Sequence, residues 1–259
     1  MVRYTANIAF LFAERPFLER IPAARAAGFA RVECHFPYDH PVEELRDHLG
    51  RAGVQLTGLN TAPGPGEGDW GLAGLPGRET AFMAGFEQAL GYATALGASV
   101  IHVMAGMVPE AGRASARKTY VANMRRAGER AAGSGVTLVL EPLNTRDKPG
   151  YLVSRSDEIV DMLAEIDRPE VKLLFDVYHV QIMEGDVLTR LARHWDRIGH
   201  VQIAAVPSRA EPDEGEIAYA AVLSALDERG WAGLVGLEYK PRGRTEDGLG
   251  WMRTLPPGG

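Results

Sequence analysis

The chain has 259 residues, of which 46% are hydrophobic, 28 are Lys or Arg and 34 are Asp or Glu, giving a formal net charge of -6. This composition provides material for one large core, and the negative charge argues against a nucleic-acid partner held by a general basic surface. The single cysteine, Cys34, excludes an internal disulfide and is typical of a small buried side chain in a reducing cytosol.

The first apolar run, IAFLFA, starts at Ile8 and is followed at once by Glu14 and Arg15. It is too short for a signal peptide or a membrane span. We therefore expect a cytoplasmic protein with no membrane partner.

Short apolar runs typical of strands alternate with longer stretches of helical spacing along the whole chain. The predicted strands lie near residues 4–10, 29–36, 54–60, 98–105, 136–143, 171–177, 198–204 and 233–239. The predicted helices are Pro16 to Gly28, Val42 to Gly53, Glu79 to Gly97, Ala114 to Gly133, Arg155 to Ile166 and Ile217 to Gly230. Many of these helical stretches stop at a glycine before the next strand, as helix C-caps do: Gly28, Gly53, Gly97, Gly135 and Gly230.

Eight β-α units in about 250 residues are typical of a (β/α)8 TIM barrel, and no remaining segment is long enough for a second domain. We therefore predict an α/β fold with a single TIM-barrel domain spanning residues 1–259. A doubly wound open sheet is the alternative. It is disfavoured because no Gly-rich phosphate fingerprint follows the first predicted strand.

Two long segments depart from this alternation. Residues 61–78 form a Gly/Pro-rich loop on the predicted catalytic side, and this loop contains Asp69 and Trp70. Long irregular loops are usually functional or disordered, and the tryptophan favours a substrate-covering role over a packed surface loop. The second segment, VPSRAEPDEGEIAY after the seventh strand, carries Arg209 among acidic residues.

Four polar residues lie near the ends of the last four predicted strands. They are Glu141 in TLVLEPLN, Asp176 in VKLLFDVYH, Gln202 in HVQIAAV and Glu238 in LVGLEYKP. A carboxylate in a buried parallel strand is costly unless it is paired or bound to a metal. Because catalytic groups of TIM barrels come from the C-terminal ends of the strands, the pattern predicts one shared site. The alternative is pairing with Arg or Lys across the barrel mouth.

Three carboxylates and one amide oxygen form an oxygen-only ligand set, which suits a divalent metal such as Mg²⁺ or Mn²⁺ better than structural zinc. We expect Mg²⁺, with Mn²⁺ and Co²⁺ left open. Such a metal flanked by Glu141 and Glu238 is suited to isomerisation, in which one glutamate removes a proton next to a carbonyl and the other returns it to the neighbouring carbon. No further cofactor is expected.

The segments FDVYHVQIMEGD, GHVQIAAVPSRAEPDEGEIAY, EPLN and GLEYKP resemble the hydroxypyruvate isomerase family of xylose isomerase-like barrels, over almost the whole chain. The resemblance implies that Glu141, Asp176, Gln202 and Glu238 are metal ligands and that Glu141 and Glu238 transfer protons. It also places His179 at a substrate-oxygen contact and Arg209 at a substrate-binding position.

Further substrate-binding candidates are His102, Trp70 and Lys240. For His102 a satisfied core histidine is the alternative, and for Lys240 it is a charge on the barrel rim. Arg209 is the leading candidate for a substrate carboxylate because a guanidinium binds one through two hydrogen bonds.

The function expected is isomerisation of hydroxypyruvate to tartronate semialdehyde. Alternatives are a 2-oxo-tetronate isomerase, a ketose 3-epimerase and, in another reaction class, an inosose dehydratase. The fold is shared by an apurinic-site endonuclease, but that chemistry needs a His-rich multi-zinc site and a basic face, and the sequence shows neither. A barrel that binds a sugar acid without converting it is also disfavoured, because it would not need both glutamates. The partner is thus a small hydroxy-oxo acid or sugar, and the sequence is compatible with a homo-oligomer.

Overall fold

The computed structural model describes residues 2–66 and 68–255. Eight parallel strands close into a barrel in chain order. They are β1 Arg3–Asn7, β2 Arg31–Glu33, β3 Gln55–Asn60, β4 Val100–His102, β5 Thr137–Leu140, β6 Val171–Asp176, β7 Ile198–Ile203 and β8 Leu234–Leu237. The predicted TIM barrel is confirmed, and the open sheet is excluded because β1 pairs with β8. The predicted span 1–259 and the loop 61–78 each include residues outside the described part.

Helices follow the strands on the outside of the barrel. They are α1 Phe17–Ala26, α2 Val42–Ala52, α3 Glu79–Leu96, α4 Arg113–Ala131, α5 Ser156–Ile166, α6 Val177–Met183, α7 Val187–His194, α8 Tyr219–Glu228, α9 Thr245–Gly248 and α10 Trp251–Thr254. The pair α6 and α7 was not predicted. Helix α6 starts directly after β6, without a loop, so its apolar residues look like a continuation of the strand.

Helix ends agree with the glycine pattern, with the glycine either at the C-cap or one or more residues after it. Gly53 and Gly97 are C-caps in the left-handed conformation, with φ of 63° and 73°, which a residue without Cβ adopts at little cost. The helices before Gly28, Gly135 and Gly230 end at Ala26, Ala131 and Glu228, and these three glycines also have positive φ, of 98°, 77° and 72°.

Several predicted strands run past the observed strand ends. Ile8 follows β1 and is buried, as are Val103 and Met104 after β4. These apolar residues pack in the loops at the C-terminal end of the barrel. Apolar residues at these positions therefore indicate that the chain is buried there, but they do not show where the strand ends.

The main core lies between the barrel and its helices. In α5, Ile159, Met162, Leu163 and Ile166 follow helical spacing and are buried, so the helix presents one apolar stripe to the barrel. Each such side chain stabilises the fold by about 1.5–3 kcal/mol. The barrel interior, by contrast, holds buried polar residues toward its C-terminal end. Within the described residues, none of the helices has both the length and the apolar character needed to cross a membrane.

Candidate active site

The four polar residues singled out in the sequence meet at the C-terminal mouth of the barrel. Glu141 directly follows β5, Asp176 ends β6, Gln202 lies in β7 and Glu238 directly follows β8. All four are buried, with exposures of 5%, 1%, 5% and 5%. Asp176 and Gln202 are paired neighbours in the ladder between β6 and β7. Parallel strand direction thus brings together residues that are up to 97 positions apart.

Three of these residues each present a buried oxygen without a hydrogen-bond partner among the described residues. The atoms are Oε1 of Glu141, Oδ2 of Asp176 and Oε1 of Gln202. A buried polar atom without a partner costs about 1–3 kcal/mol, and more if it is charged. Unpartnered oxygens from three adjacent strands fit a hard divalent cation, which accepts carboxylate and amide oxygens as ligands.

The protonation properties of the carboxylates support this fit. Burial raises the pKa of Glu141 well above its usual range, and the charges of Glu238 and Asp176 raise it further. Burial and then the charge of Glu238 raise the pKa of Asp176 to about 7. Carboxylates crowded together in a buried site repel one another, and a bound cation relieves that repulsion.

Glu238 differs from Glu141 because both of its oxygens have partners. Oε1 accepts hydrogen bonds from Nε2 of His35 at 2.8 Å and Nδ2 of Asn7 at 3.1 Å, and Oε2 accepts one from Nη2 of Arg209 at 2.8 Å. Burial alone would raise the pKa of Glu238, but His35 and Arg209 outweigh it and lower the pKa to about 2. The pairing with a cation across the mouth, considered as the alternative from sequence, thus applies to Glu238.

His179 lies beside the carboxylates, and one side-chain atom each of Glu141, Asp176 and His179 lie within 4.8 Å of one another. Its Nδ1 accepts a hydrogen bond of 2.9 Å from the backbone N–H of Asn144. Burial, followed by the charge of Arg209, lowers the pKa of His179 to about 3. The neutral ring therefore carries its proton on Nε2, which lies 3.5 Å from Oδ2 of Asp176.

An imidazole nitrogen that carries a proton has no lone pair for a metal. His179 is therefore better suited to donate a hydrogen bond to a substrate oxygen than to complete the ligand set. The unpartnered amide oxygen of Gln202 is the better fourth oxygen beside Glu141, Asp176 and Glu238.

His102 ends β4 and contacts Glu141, with Nδ1 lying 3.3 Å from Oε2. Burial lowers the pKa of His102 to about 3, so its ring is neutral. Its Nε2 has no hydrogen-bond partner among the described residues. This placement combines a contact to a predicted acid-base residue with a free ring nitrogen at the site.

A cavity of about 370 Å³ lies above the carboxylates. Glu141 and Glu238 both line it, whereas Asp176 and Gln202 lie outside its wall. All five residues predicted to bind substrate are in the wall: Trp70, His102, His179, Arg209 and Lys240. The cavity also has apolar surface from Phe10 and Leu143, so it offers both polar and apolar contacts to a small ligand.

Arg209 reaches into this cavity from the loop after β7. It is the group paired with Glu238, and its Nη1 also lies 3.5 Å from Oδ2 of Asp147. Its guanidinium stacks 5.0 Å from the ring centroid of Phe10 and 4.9 Å from that of Tyr178. These contacts hold the cation at the mouth with its planar donors toward the site.

The loop 61–78 also contacts the cavity. The ammonium of Lys148, in the loop after β5, lies 3.0 Å from the ring centroid of Trp70. This cation-π contact joins the two loops at the cavity wall. Lys148 was not predicted from the sequence.

Other polar groups around the site were also missed. Asn7 ends β1 and Glu33 ends β2, and His35 lies two residues after β2. The signal that identified the four predicted residues, a polar residue at the end of an apolar run, is present at Asn7 and Glu33 too. The prediction covers only the last four strands.

The sequence matches the family described as "Xylose isomerase-like TIM barrel" over residues 21–255. It is 46% identical over 255 residues to the 2-oxo-tetronate isomerase of Cupriavidus necator, with 98% of each chain covered. It is 38% identical to the hydroxypyruvate isomerase of Escherichia coli, with 97% of this chain and 98% of that protein covered. The crystal structure of a protein named AP endonuclease, family 2, from Brucella melitensis has a TM-score of 0.96 and 40% identity, covering 98% of this chain and 99% of that one.

Proposed function

We propose that this chain, which belongs to the xylose isomerase-like TIM barrel family, is a metal-dependent isomerase of short hydroxy-oxo acids. The observation that carries the proposal is the pair of buried glutamates, Glu141 and Glu238, which line one cavity beside unpartnered oxygens of Asp176 and Gln202. Two carboxylates beside a cation site match the requirements for moving a proton between adjacent carbons.

In hydroxypyruvate, C2 is a carbonyl and C3 carries a hydroxyl. Isomerisation moves one proton from C3 to C2 and the hydroxyl proton from the C3 oxygen to the C2 oxygen, which leaves a hydroxyl on C2 and an aldehyde on C3. The product, tartronate semialdehyde, has the same atoms as the substrate. No oxidant or reductant is therefore needed.

A divalent cation held by Glu141, Asp176, Gln202 and Glu238 would supply a Lewis acid for the carbonyl and hydroxyl oxygens of the substrate. Glu141 and Glu238 approach the cavity from β5 and β8, which are separated by two strands, so they reach the substrate carbons from different directions. One of these glutamates takes the proton from carbon, and the other delivers a proton to the neighbouring carbon.

His179 and Arg209 would position the substrate. Nε2 of His179 makes no hydrogen bond within the part of the chain that the structure describes, and it would donate its proton to a substrate oxygen. Arg209 would bind the substrate carboxylate through its planar donors. A local cation is required for this because the overall charge of -6 repels an anionic substrate.

A second candidate substrate is 2-oxo-tetronate, and the higher identity to the isomerase named for it, 46% against 38%, favours this substrate. A 2-oxo-tetronate has the same first three carbons as hydroxypyruvate and an added hydroxymethyl group on C3. The same residues would therefore perform the same proton transfer. The two substrates differ only in how the cavity receives the added group.

DNA cleavage, the activity for which the Brucella melitensis protein is named, finds less support. A protein that binds DNA needs cations that neutralise several phosphates. This chain has net charge -6, and the cations at its cavity, Lys148, Arg209 and Lys240, lie among acidic residues.

The experiment is a proton NMR assay of the purified protein with Mg²⁺ and a panel of hydroxypyruvate, 2-oxo-tetronates, neutral ketoses and inososes. We expect conversion of hydroxypyruvate, 2-oxo-tetronate or both to isomers of the same composition. Conversion of only a ketose or an inosose would contradict the proposal.

A further inference from the structure

We propose that Glu33 is a positioning residue that holds the amide of Gln202 with its oxygen toward the metal site. This inference rests on the proposed function, because it concerns how one proposed metal ligand is oriented. Glu33 ends β2, is 4% exposed and lies inside the barrel. Glu33 does not line the cavity, so we expect it to act on Gln202 and not on the substrate directly.

Three hydrogen-bond donors converge on the Glu33 carboxylate. Oε1 accepts from Nε2 of Gln202 at 2.8 Å and from Nδ2 of Asn7 at 3.1 Å. Oε2 accepts from Nε2 of His200 at 2.9 Å. Donors from β1 and β7 thus fix a buried carboxylate that has no Arg or Lys contact among the described residues.

The chemistry of the two groups sets the orientation of the amide. An amide has a donor face at nitrogen and an acceptor face at oxygen, and only the oxygen can bind a hard cation. Oε1 of Glu33 accepts a hydrogen bond from the nitrogen of Gln202, which also lies 3.5 Å from Oε1 of Glu238, and a carboxylate oxygen repels an amide oxygen. The oxygen of Gln202 is thereby turned away from Glu33, and it is the buried atom that has no partner among the described residues.

The contact between Glu33 and Gln202 depends on a glycine in the neighbouring strand. Gly236 of β8 is the ladder partner of Gln202. A Cβ at position 236 would lie 2.4 Å from Oε1 of Glu33 and 2.8 Å from Cγ of Gln202. Glu33 therefore reaches Gln202 through space that exists only because residue 236 has no side chain.

The test is Mn²⁺ affinity, measured as free Mn²⁺ by electron paramagnetic resonance, which does not depend on turnover. Loss of a group that orients a metal ligand typically weakens metal binding by about 10–100-fold. We expect this loss in Glu33→Met, which removes the acceptor and keeps a side chain of similar length. Unchanged Mn²⁺ affinity in Glu33→Met would overturn the inference.

A double-mutant cycle separates positioning from general support of the barrel. If Glu33 acts through Gln202, adding Glu33→Met to Gln202→Leu should change the Kd for Mn²⁺ by less than about 2-fold. A merely structural role predicts that the two losses multiply. Fully multiplied losses would therefore overturn the inference.

A matched pair of glycine variants provides a second test that keeps every polar group. Gly236→Ala should displace the side chains of both Glu33 and Gln202 and so disturb their contact and weaken Mn²⁺ binding. Gly58→Ala is the control, because a Cβ there would meet Val100 and Glu33 at ordinary distances of 3.6 Å and 3.7 Å. Thermal unfolding with chelator shows whether both variants are folded. Equal Mn²⁺ affinity of folded Gly236→Ala and Gly58→Ala would contradict the inference.

The outcomes distinguish this inference from the proposed function. Tight Mn²⁺ binding that depends on Glu33, without conversion of either acid, would leave the inference standing and overturn the function. Conversion of the acids by Glu33→Met with unchanged Mn²⁺ affinity would leave the proposed function standing and overturn the inference. Absence of Mn²⁺ binding in the unaltered chain would overturn both.

Discussion

Nη2 of Arg209 donates a hydrogen bond of 2.8 Å to Oε2 of Glu238. The cation expected to bind a substrate carboxylate is therefore paired with one of the two glutamates expected to transfer protons. Because Arg209 is 15% exposed in its side chain and Glu238 only 7%, this ion pair is largely shielded from water. Arg209 thus connects substrate binding to the charge of Glu238.

Replacing Arg209 with alanine tests its role as the carboxylate-binding group. We expect the KM for hydroxypyruvate to rise by the equivalent of roughly 1.5–3 kcal/mol, the worth of a lost charge-assisted hydrogen bond. The KM for a neutral ketose, if one is turned over, should rise much less. Steady-state kinetics with both substrates measure the difference. Equal losses for the acid and the ketose would mean that Arg209 holds its loop and does not bind the carboxylate.

The two glutamates are tested by replacing each with its uncharged amide. Glu141→Gln and Glu238→Gln should each reduce kcat for isomerisation by about 10²–10⁴, the usual contribution of a positioned acid-base group. Glu216→Gln, at an exposed glutamate in the loop after β7, is the control and should retain activity. Proton NMR in ²H₂O would also show whether one variant still exchanges a single substrate proton. Near-normal conversion by both variants would show that other residues transfer the protons.

The position of the proton on the His179 imidazole tests whether this residue is a hydrogen-bond donor to the substrate. With Nδ1 accepting from the backbone of Asn144 at 2.9 Å, the ring should carry its proton on Nε2 at pH 7. Nitrogen-15 NMR of the imidazole distinguishes the two neutral forms, and addition of Mg²⁺ should leave the Nε2 proton in place. Loss of that proton on addition of Mg²⁺ would instead identify His179 as a metal ligand.

The contact between Trp70 and Lys148 tests whether the loop 61–78 assists substrate binding. Trp70→Ala should raise KM by about 2–5-fold, since a cation-π contact of this kind contributes about 0.5–1 kcal/mol. Trp70→Phe keeps an aromatic face and should lose less. Steady-state kinetics of the two variants give the comparison. Unchanged KM in Trp70→Ala would show that the loop packs on the surface without a role in binding.

The fold, and the grouping of four polar residues at one end of the barrel, could be predicted from the sequence for a simple physical reason. Buried parallel strands are apolar, so Glu141, Asp176, Gln202 and Glu238 stand out where their strands end, and parallel strands end on one face. Asn7 follows the same rule, but the apolar run IAFLFA continues beyond it, so the predicted strand 4–10 ran past the end of β1.

Other features depend on contacts between residues that are distant in the sequence, and no local sequence pattern predicts such contacts. The proton position on His179 is set by the backbone of Asn144, 35 residues earlier in the chain. The ion pair of Arg209 with Glu238 and the contact of Lys148 with Trp70 depend on the paths of loops. Helix α6 was missed because Asp176 both ends β6 and caps the helix, accepting a hydrogen bond of 2.9 Å from the backbone of Tyr178.

The most direct test of the central claim is the metal dependence of turnover. Exhaustive chelation of the purified protein should abolish conversion of hydroxypyruvate and 2-oxo-tetronate, as measured by proton NMR. The reason is that Glu141, Asp176, Gln202 and Glu238 would lose the cation that they bind. Addition of Mg²⁺ or Mn²⁺ should restore conversion. Full activity of metal-free protein in the continued presence of chelator would contradict the account.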